Sequence, residues 1–230
     1  MLRDQPNHFA DWNTGQMKSQ HIAIRHLIVG AVVAAILACV GCGNRPGRVT
    51  PPGVDSQSAG KAAVNEYDRD SDGLLSEAEL KQCPPLLVKR VEIDANRDGN
   101  ISAEEIAARI SAWQQTKVGF VTGYKCKVLQ NGKPFQGAVV ELVPEDFLGD
   151  AIRPASGTVD AAAVASLAIA NADLPDDLRG LRGVQFGLYR VRITHPTKSV
   201  PMRFNKTTEL GCEIYPLGDP EMLTYSVATE

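Results

Sequence analysis

Residues 68–79 read DRDSDGLLSEAE and residues 94–105 read DANRDGNISAEE, and these two stretches decide what the chain can fold around. Each has acidic or amide side chains at its first, third and fifth positions, a glycine at its sixth and a glutamate at its twelfth. A hard cation takes about six to eight oxygen ligands, and a tight loop can aim alternate side chains at one point. The glycine permits the positive φ that such a turn needs. The pattern therefore predicts two metal-binding loops.

Both stretches resemble the twelve-residue calcium loop of the EF-hand family at every diagnostic position. The resemblance implies two Ca²⁺ sites, in which the seventh residue contributes its backbone carbonyl. The expected ligands of the first loop are Asp68, Asp70, Asp72, Leu74 and Glu79. Those of the second loop are Asp94, Asn96, Asp98, Asn100 and Glu105. We expect the first loop to dominate calcium binding, because it has one more carboxylate.

A second interpretation of the same residues is a pair of acidic turns that cap helices. Ser76 and Glu79 have the spacing of a capping box, as do Ser102 and Glu105. The two interpretations are compatible, since an EF-hand loop leads directly into a helix. The aliphatic residues at the eighth positions, Leu75 and Ile101, are expected to pair in a short strand contact between the loops.

The helical region that carries the loops is predicted to span residues 58–116. A short helix of about Ala59–Tyr67 enters the first loop, and the exit helix of about Ser76–Gln82 stops before Pro84-Pro85. The last helix presents Ile106, Ile110 and Trp113 on one face. Methionines are too few for the apolar groove of a calcium sensor that grips a helix.

The N-terminus has the features of an export signal, predicted as residues 1–42. Basic residues precede an uncharged run from Leu27 to Cys42, and Met17 is an alternative start to Met1. The end of the run resembles a bacterial lipobox, which implies lipidation of Cys42. An uncleaved membrane anchor and ordinary secretion remain alternatives. Residues 43–57 are rich in Pro, Gly and Ser, and predict a disordered tether.

The C-terminal region, residues 117–230, changes to the alternating pattern of strands. Asn131-Gly132 is a hairpin turn signal. The strand GLYRVRIT, residues 187–194, places Tyr189, Val191 and Ile193 on one face and arginines on the other. Short strands separated by turns predict an antiparallel β-sandwich. The expected fold class is α+β, with a small helical EF-hand pair followed by this sandwich.

Three segments of this region, residues 131–140, 157–160 and 187–194, resemble carboxypeptidase-regulatory-like (transthyretin-like) domains of bacterial envelope proteins. The resemblance covers about residues 118–228. It departs at Ala161-Ala162-Ala163, where the family usually has a glycine-containing turn. The resemblance implies an accessory or adhesive domain without catalytic residues of its own.

Composition and the remaining motifs indicate a binding protein and not an enzyme. The 230 residues are 43% hydrophobic and 22% charged, and a net charge of −3 argues against a nucleic-acid surface. His195 is the one histidine outside the N-terminal segment, and no phosphate loop or nucleophile motif is present.

We expect an exported, membrane-tethered calcium-binding protein whose sandwich contacts an envelope protein or a surface polymer. The alternative is a calcium-stabilised, non-catalytic accessory subunit of an exported hydrolase.

The strand phases place Cys126 and Cys212 in one core. An exported protein can keep a disulfide, so the two thiols are predicted either to bond or to pack as small hydrophobic groups.

Overall fold

The computed structural model of the protein describes residues 49–116, 118–215 and 222–228. These residues form short helices followed by many strands in several sheets, so the α+β fold class is confirmed. The predicted leader, with Cys42 and the lipobox, lies outside the described residues. No helix within the described ranges has the length and apolar character to cross a membrane.

Five helices and two very short strands form the N-terminal part of the described chain. The helices are α1 (Ser56–Tyr67), α2 (Glu77–Leu80), α3 (Pro84–Val88), α4 (Arg90–Ile93) and α5 (Ala103–Gln115), and the strands are β1 (Leu74–Leu75) and β2 (Ile101–Ser102). Helix α2 ends before the prolines, as expected, although it is shorter than predicted. On α5 the predicted apolar face of Ile106, Ile110 and Trp113 is buried.

The end of the predicted tether is packed against the folded chain, which corrects residues 49–57 of that prediction. Helix α1 begins at Ser56 because the Asp55 carboxylate caps it, accepting from the backbone N–H groups of Gln57 and Ser58. Val54 is 5% exposed, and its carbonyl accepts a 2.7 Å hydrogen bond from the side chain of Gln114. This end of the segment is therefore packed against the folded chain.

A five-stranded antiparallel sheet forms the centre of the C-terminal part, in the order β12–β11–β6–β7–β9. Its strands are β6 (Val139–Pro144), β7 (Ala155–Thr158), β9 (Ala168–Ile169), β11 (Gly187–Thr194) and β12 (Gly211–Ile214). The predicted inward residues of β11, Tyr189, Val191 and Ile193, are fully buried.

The remaining strands form a second sheet and a separate pair. The second sheet comprises β4 (Lys125–Gln130), β5 (Lys133–Pro134), β8 (Val164–Ser166) and β13 (Thr224–Val227), with β13 parallel to β4. The pair is β3 (Phe120–Thr122) with β10 (Gly183–Gln185). Between β3 and β4 the chain turns at Gly123, whose φ of 69° lies in the left-handed region that favours glycine.

Two turns in this region can be compared with the turns expected from the sequence. Asn131 and Gly132 have φ of 50° and 77° and join β4 to β5, as the hairpin signal predicts. The three alanines at 161–163 form a turn without glycine, in which Ala163 adopts φ of 67°. The Asp160 carboxylate stabilises this turn by accepting from the backbone N–H groups of Ala162 and Val164.

Helices and strands share one hydrophobic core. Helix α3 packs against β11 and β12, and α1 packs against the 3₁₀ segment Asp146–Ala151. Cys126 on β4 and Cys212 on β12 are both buried in this core as free thiols. Burial raises the pKa of each to about 12. Their strands belong to different sheets, and the alternative of buried, unbonded thiols is the one observed.

Candidate metal centre

The backbone of residues 68–79 folds into a tight loop that holds its aspartates in place. Ser71 and Gly73 have positive φ, 63° and 86°. The Asp68 carboxylate accepts from the N–H groups of both residues, at 2.7 and 2.9 Å. Asp72 Oδ1 accepts from the backbone N–H of Leu74 at 2.8 Å. Each aspartate is therefore fixed by the loop's own backbone.

The first loop concentrates negative charge. Carboxylate oxygens of Asp68, Asp70 and Glu79 lie within 4.8 Å of one another. The Asp72 N–H acts to lower the pKa of Asp70, but desolvation and the charges of Asp72, Glu79 and Asp68 outweigh it, and the pKa of Asp70 is raised. Like charges at this separation disfavour their own ionisation unless a cation lies between them.

Glu79, at the twelfth position, is 6% exposed and points back across the loop. Its Oε1 accepts from the backbone N–H of Arg69 at 2.7 Å, and its Oε2 accepts from the N–H and hydroxyl of Ser76 at 2.8 and 2.7 Å. The hydroxyl of Ser76, followed by the backbone N–H groups, lowers the pKa of Glu79 to about 2. This carboxylate is ionised throughout the physiological range. The predicted capping box is present together with the loop.

Residues 94–105 repeat the geometry of the first loop. Arg97 and Gly99 have φ of 63° and 92°, at the same positions as Ser71 and Gly73. Asp94 Oδ2 accepts from the Gly99 N–H at 3.0 Å, and Glu105 accepts from the Ala95 and Ser102 N–H groups at 3.0 and 2.9 Å. Desolvation acts to raise the pKa of Glu105, but hydrogen bonds from Ser102 and the loop backbone outweigh it and lower the pKa.

One oxygen atom of the second loop indicates that these residues can bind a cation. Asp94 Oδ1 is buried and has no hydrogen-bond partner. An unpartnered buried carboxylate oxygen is costly, since it has lost water without gaining a donor. A hard cation in the loop would satisfy it. The neutral Asn96 donates to Asp98 Oδ2 at 2.8 Å, so this loop has less charge repulsion than the first.

The two loops are joined at their eighth positions. Strand β1 pairs with β2 in antiparallel register, which places Leu75 opposite Ile101. Both side chains are fully buried. The predicted contact between the loops is confirmed.

All ten predicted calcium ligands lie in these two loops. The structure brings together the carboxylates of Asp68, Asp70 and Glu79 most closely. Leu74 begins β1 and Asn100 directly precedes β2, where a loop supplies its backbone carbonyl.

His195 lies away from the two loops. Its Nε2 is 3.1 Å from the Gln136 carbonyl oxygen, and its Nδ1 accepts hydrogen bonds from the N–H groups of Thr197 and Lys198. The imidazole is therefore engaged in holding two backbone segments together.

Sequence reasoning missed the polar contacts that tie the loops to the sheet. Arg190 was expected to face outward on β11, but its face of the sheet is covered by the helices. The Tyr67 hydroxyl donates to Glu145 Oε2 at 2.9 Å, and Arg190 Nε donates to the same oxygen at 3.2 Å. The side chain of Glu145 is 1% exposed. Burial raises the pKa of Glu145 against the opposing effects of Arg190 and Tyr67.

A second tie joins α5 to β12. Arg109 donates hydrogen bonds to the Glu213 carboxylate from both Nε and Nη2, and Trp113 Nε1 donates to Glu213 Oε1 at 2.9 Å. The Glu213 side chain is 1% exposed. The available signal was a glutamate inside the apolar strand GCEI, residues 211–214, which requires a buried partner.

Comparison with known protein families gives one match: the EF-hand family model matches residues 92–110. These residues contain the second loop and the first half of α5. The chain therefore contains an EF-hand calcium-binding element. No curated protein and no solved structure matches the chain.

Proposed function

We propose that this chain binds two Ca²⁺ ions, one in each loop. The observation that carries the proposal is the shared scaffold: both loops have the same positive-φ positions, and in both the first-position aspartate and the twelfth-position glutamate accept hydrogen bonds from the backbone N–H groups at the same loop positions. The second loop matches the EF-hand family, and the first repeats its geometry. The first loop would hold its ion with Asp68, Asp70, Asp72, the Leu74 carbonyl and Glu79. The second would use Asp94, Asn96, Asp98, the Asn100 carbonyl and Glu105.

The role we propose for calcium is structural. Bound calcium neutralises the crowded carboxylates and links the helices that flank each loop. The described methionines, Met202 and Met222, are 60% and 44% exposed and lie outside the helical part. A Met-lined groove between opening helices therefore has no residues to build it. The buried ties from α1 and α5 to the sheet also favour a fixed arrangement over an opening one.

Calorimetric titration of the purified, metal-free chain with Ca²⁺ tests the two sites. We expect two binding events in the wild type and one in each of Glu79→Gln and Glu105→Gln. The replaced oxygen removes bidentate coordination while the side chain keeps its size. Magnesium serves as the control ion, because it demands stricter octahedral geometry. Absence of calcium-dependent heat at millimolar metal would refute the assignment.

We further propose that the protein acts in the cell envelope as a non-catalytic binding module. The apolar run ending at Cys42 supports export with a lipid or membrane anchor, and the two sheets that share one hydrophobic core support a sandwich that contacts an envelope protein or surface polymer. Cells grown with labelled palmitate should label the wild type and not Cys42→Ala. Persistent labelling of Cys42→Ala would remove this cysteine as the lipidation site.

A further inference from the structure

Arg190 occupies a rigid position in the middle of the five-stranded sheet. It pairs with Gly211 of β12 on one side and with Val143 of β6 on the other. A strand that is hydrogen-bonded on both edges has little freedom to shift. The side chain of Arg190 is 25% exposed and extends from this strand toward the helices.

The guanidinium group contacts both sides of the first calcium loop. Nη2 donates to the Gln82 carbonyl at 2.6 Å and to the Tyr67 hydroxyl at 3.0 Å. Tyr67 is the last residue of α1 and directly precedes Asp68, the first residue of the loop. Gln82 follows the loop, and its backbone N–H donates to the carbonyl of Glu79 at 2.9 Å. One side chain therefore bridges the residues before and after the loop.

Glu145 completes this bridge as a buried anion. It accepts from Tyr67 and Arg190, so tyrosine, arginine and glutamate form a closed triangle of hydrogen bonds. Charge-assisted hydrogen bonds are stronger than neutral ones. The triangle contains no predicted calcium ligand and is held by its own charges.

The side-chain ties of the second loop are arranged differently. Arg109 and Trp113 tie only the exit helix α5 to Glu213 of β12. On the entry side, Arg90 of α4 pairs with Glu77, which is 62% exposed and belongs to the helical part itself. The Arg190 side chain therefore connects both ends of the first loop, whereas on the entry side of the second loop the sheet is contacted through the packing of α3 on β11 and β12.

We propose that Arg190 is a positioning residue for the calcium ion of the first loop. The inference rests on the proposed calcium-binding function. By fixing the span between Tyr67 and Gln82, Arg190 holds the first and twelfth ligands near their binding positions before the ion arrives. Binding then costs less conformational entropy, which increases affinity without any contact between Arg190 and the ion.

The test measures calcium affinity by calorimetry in full-length variants that retain one loop each. In the Glu105→Gln background, which keeps the first loop, we expect Arg190→Lys to weaken calcium binding about tenfold, since the loss of one charge-assisted hydrogen bond has about this effect on an equilibrium. Lysine keeps the charge beside Glu145 but cannot reach three acceptors at once. In the Glu79→Gln background, which keeps the second loop, the same substitution should leave the affinity within about twofold.

Arg109→Lys is the matched control, and we expect it to weaken the second loop and spare the first. Equal weakening of both loops by Arg190→Lys, or no weakening of the first, would overturn the proposal. Failure of the parent Glu105→Gln protein to bind calcium would instead refute the proposed function. Should Arg190→Lys not unfold cooperatively, Tyr67→Phe decides the question, because it removes one corner of the triangle and keeps the ring. Unchanged first-loop affinity in Tyr67→Phe would then overturn the proposal.

Discussion

Gly60 is predicted to be a residue whose replacement by alanine destabilises the protein, although it lies in the middle of helix α1. Helix propensity alone predicts the opposite, since alanine in place of glycine favours an exposed helix by about 1 kcal/mol. In the structure α1 packs so closely on α5 that a Cβ atom on Gly60 would lie 2.2 Å from the carbonyl oxygen of Ala103. Ordinary contact begins at 3.4 Å.

The magnitude follows from what the added methyl group meets. Its nearest neighbours are the backbone atoms of Ala103 and Ala107, which cannot move aside by changing a rotamer. Overpacking a well-packed core costs about 1–3 kcal/mol, and more when backbone must move. This cost outweighs the gain in propensity, so we expect Gly60→Ala to lower the free energy of unfolding by roughly 1–2 kcal/mol.

Urea unfolding followed by circular dichroism measures this change. With a slope of about 2 kcal/mol per molar urea, the midpoint should fall by about 0.5–1 M. Lys61→Gly is the control for propensity, because Lys61 is the exposed neighbour on the same helix. Ala103 lies in the second loop, so Gly60→Ala should also weaken the calcium affinity of that loop more than of the first. A raised urea midpoint in Gly60→Ala would refute the close packing of α1 on α5.

Three further predictions concern the cap of α1, the α5–β12 tie and the metal. The pKa of Asp55 is lowered from 3.8, chiefly by the backbone N–H of Ser58, so its stabilisation is present above pH 3.8 and is lost as the pH falls through the lowered value. Asp55→Ala should therefore lower the urea midpoint at pH 7, and this deficit relative to wild type should shrink as the pH falls through the lowered pKa, whereas Asp55→Ser, an uncharged cap, should have a midpoint between those of wild type and Asp55→Ala at pH 7. Trp113→Phe removes a donor to the buried Glu213 and should cost at least about 1 kcal/mol in urea unfolding, and an unchanged midpoint would contradict this hydrogen bond. Calcium removal with EDTA should lower the melting temperature and the helical circular dichroism signal while the β signal persists, and unchanged helicity would count against a structural role for the ion.

The sequence predicted the loops well because their chemistry is local. Each predicted ligand position, the glycine turn and the aliphatic residue at the eighth position are specified within twelve residues. Loop geometry and the β1–β2 register follow from these residues with little help from the rest of the chain. The buried face of α5 was predictable for the same reason, since its periodicity is contained in one helix.

The contacts between the helices and the sheet could not be predicted in the same way. Alternation in β11 separates Tyr189 and Val191 from Arg190 and Arg192, but it does not tell whether water or another element covers the second face. The helices cover part of it, so Arg190 is largely buried against Glu145. The partners are far apart in sequence, and neither Tyr67 nor Glu145 has a local pattern that marks it.

The roles of Gly60 and Gly123 could not be predicted from the sequence either. The sequence alone does not indicate why either position is a glycine. The structure gives each a separate cause, close approach of α5 at Gly60 and a positive φ at Gly123. Neither cause is visible without the neighbouring element.

A crystal structure of the protein grown in calcium, with anomalous diffraction collected to locate the metal, tests the central claim most directly. We predict one anomalous peak in each loop, with oxygens of Asp68, Asp70, Asp72 and Glu79 around the first and those of Asp94, Asn96, Asp98 and Glu105 around the second, at about 2.3–2.6 Å. The buried Asp94 Oδ1 atom, which has no hydrogen-bond partner, should be among the ligands. Crystals grown in millimolar calcium that show both loops ordered and no metal in either would contradict the account.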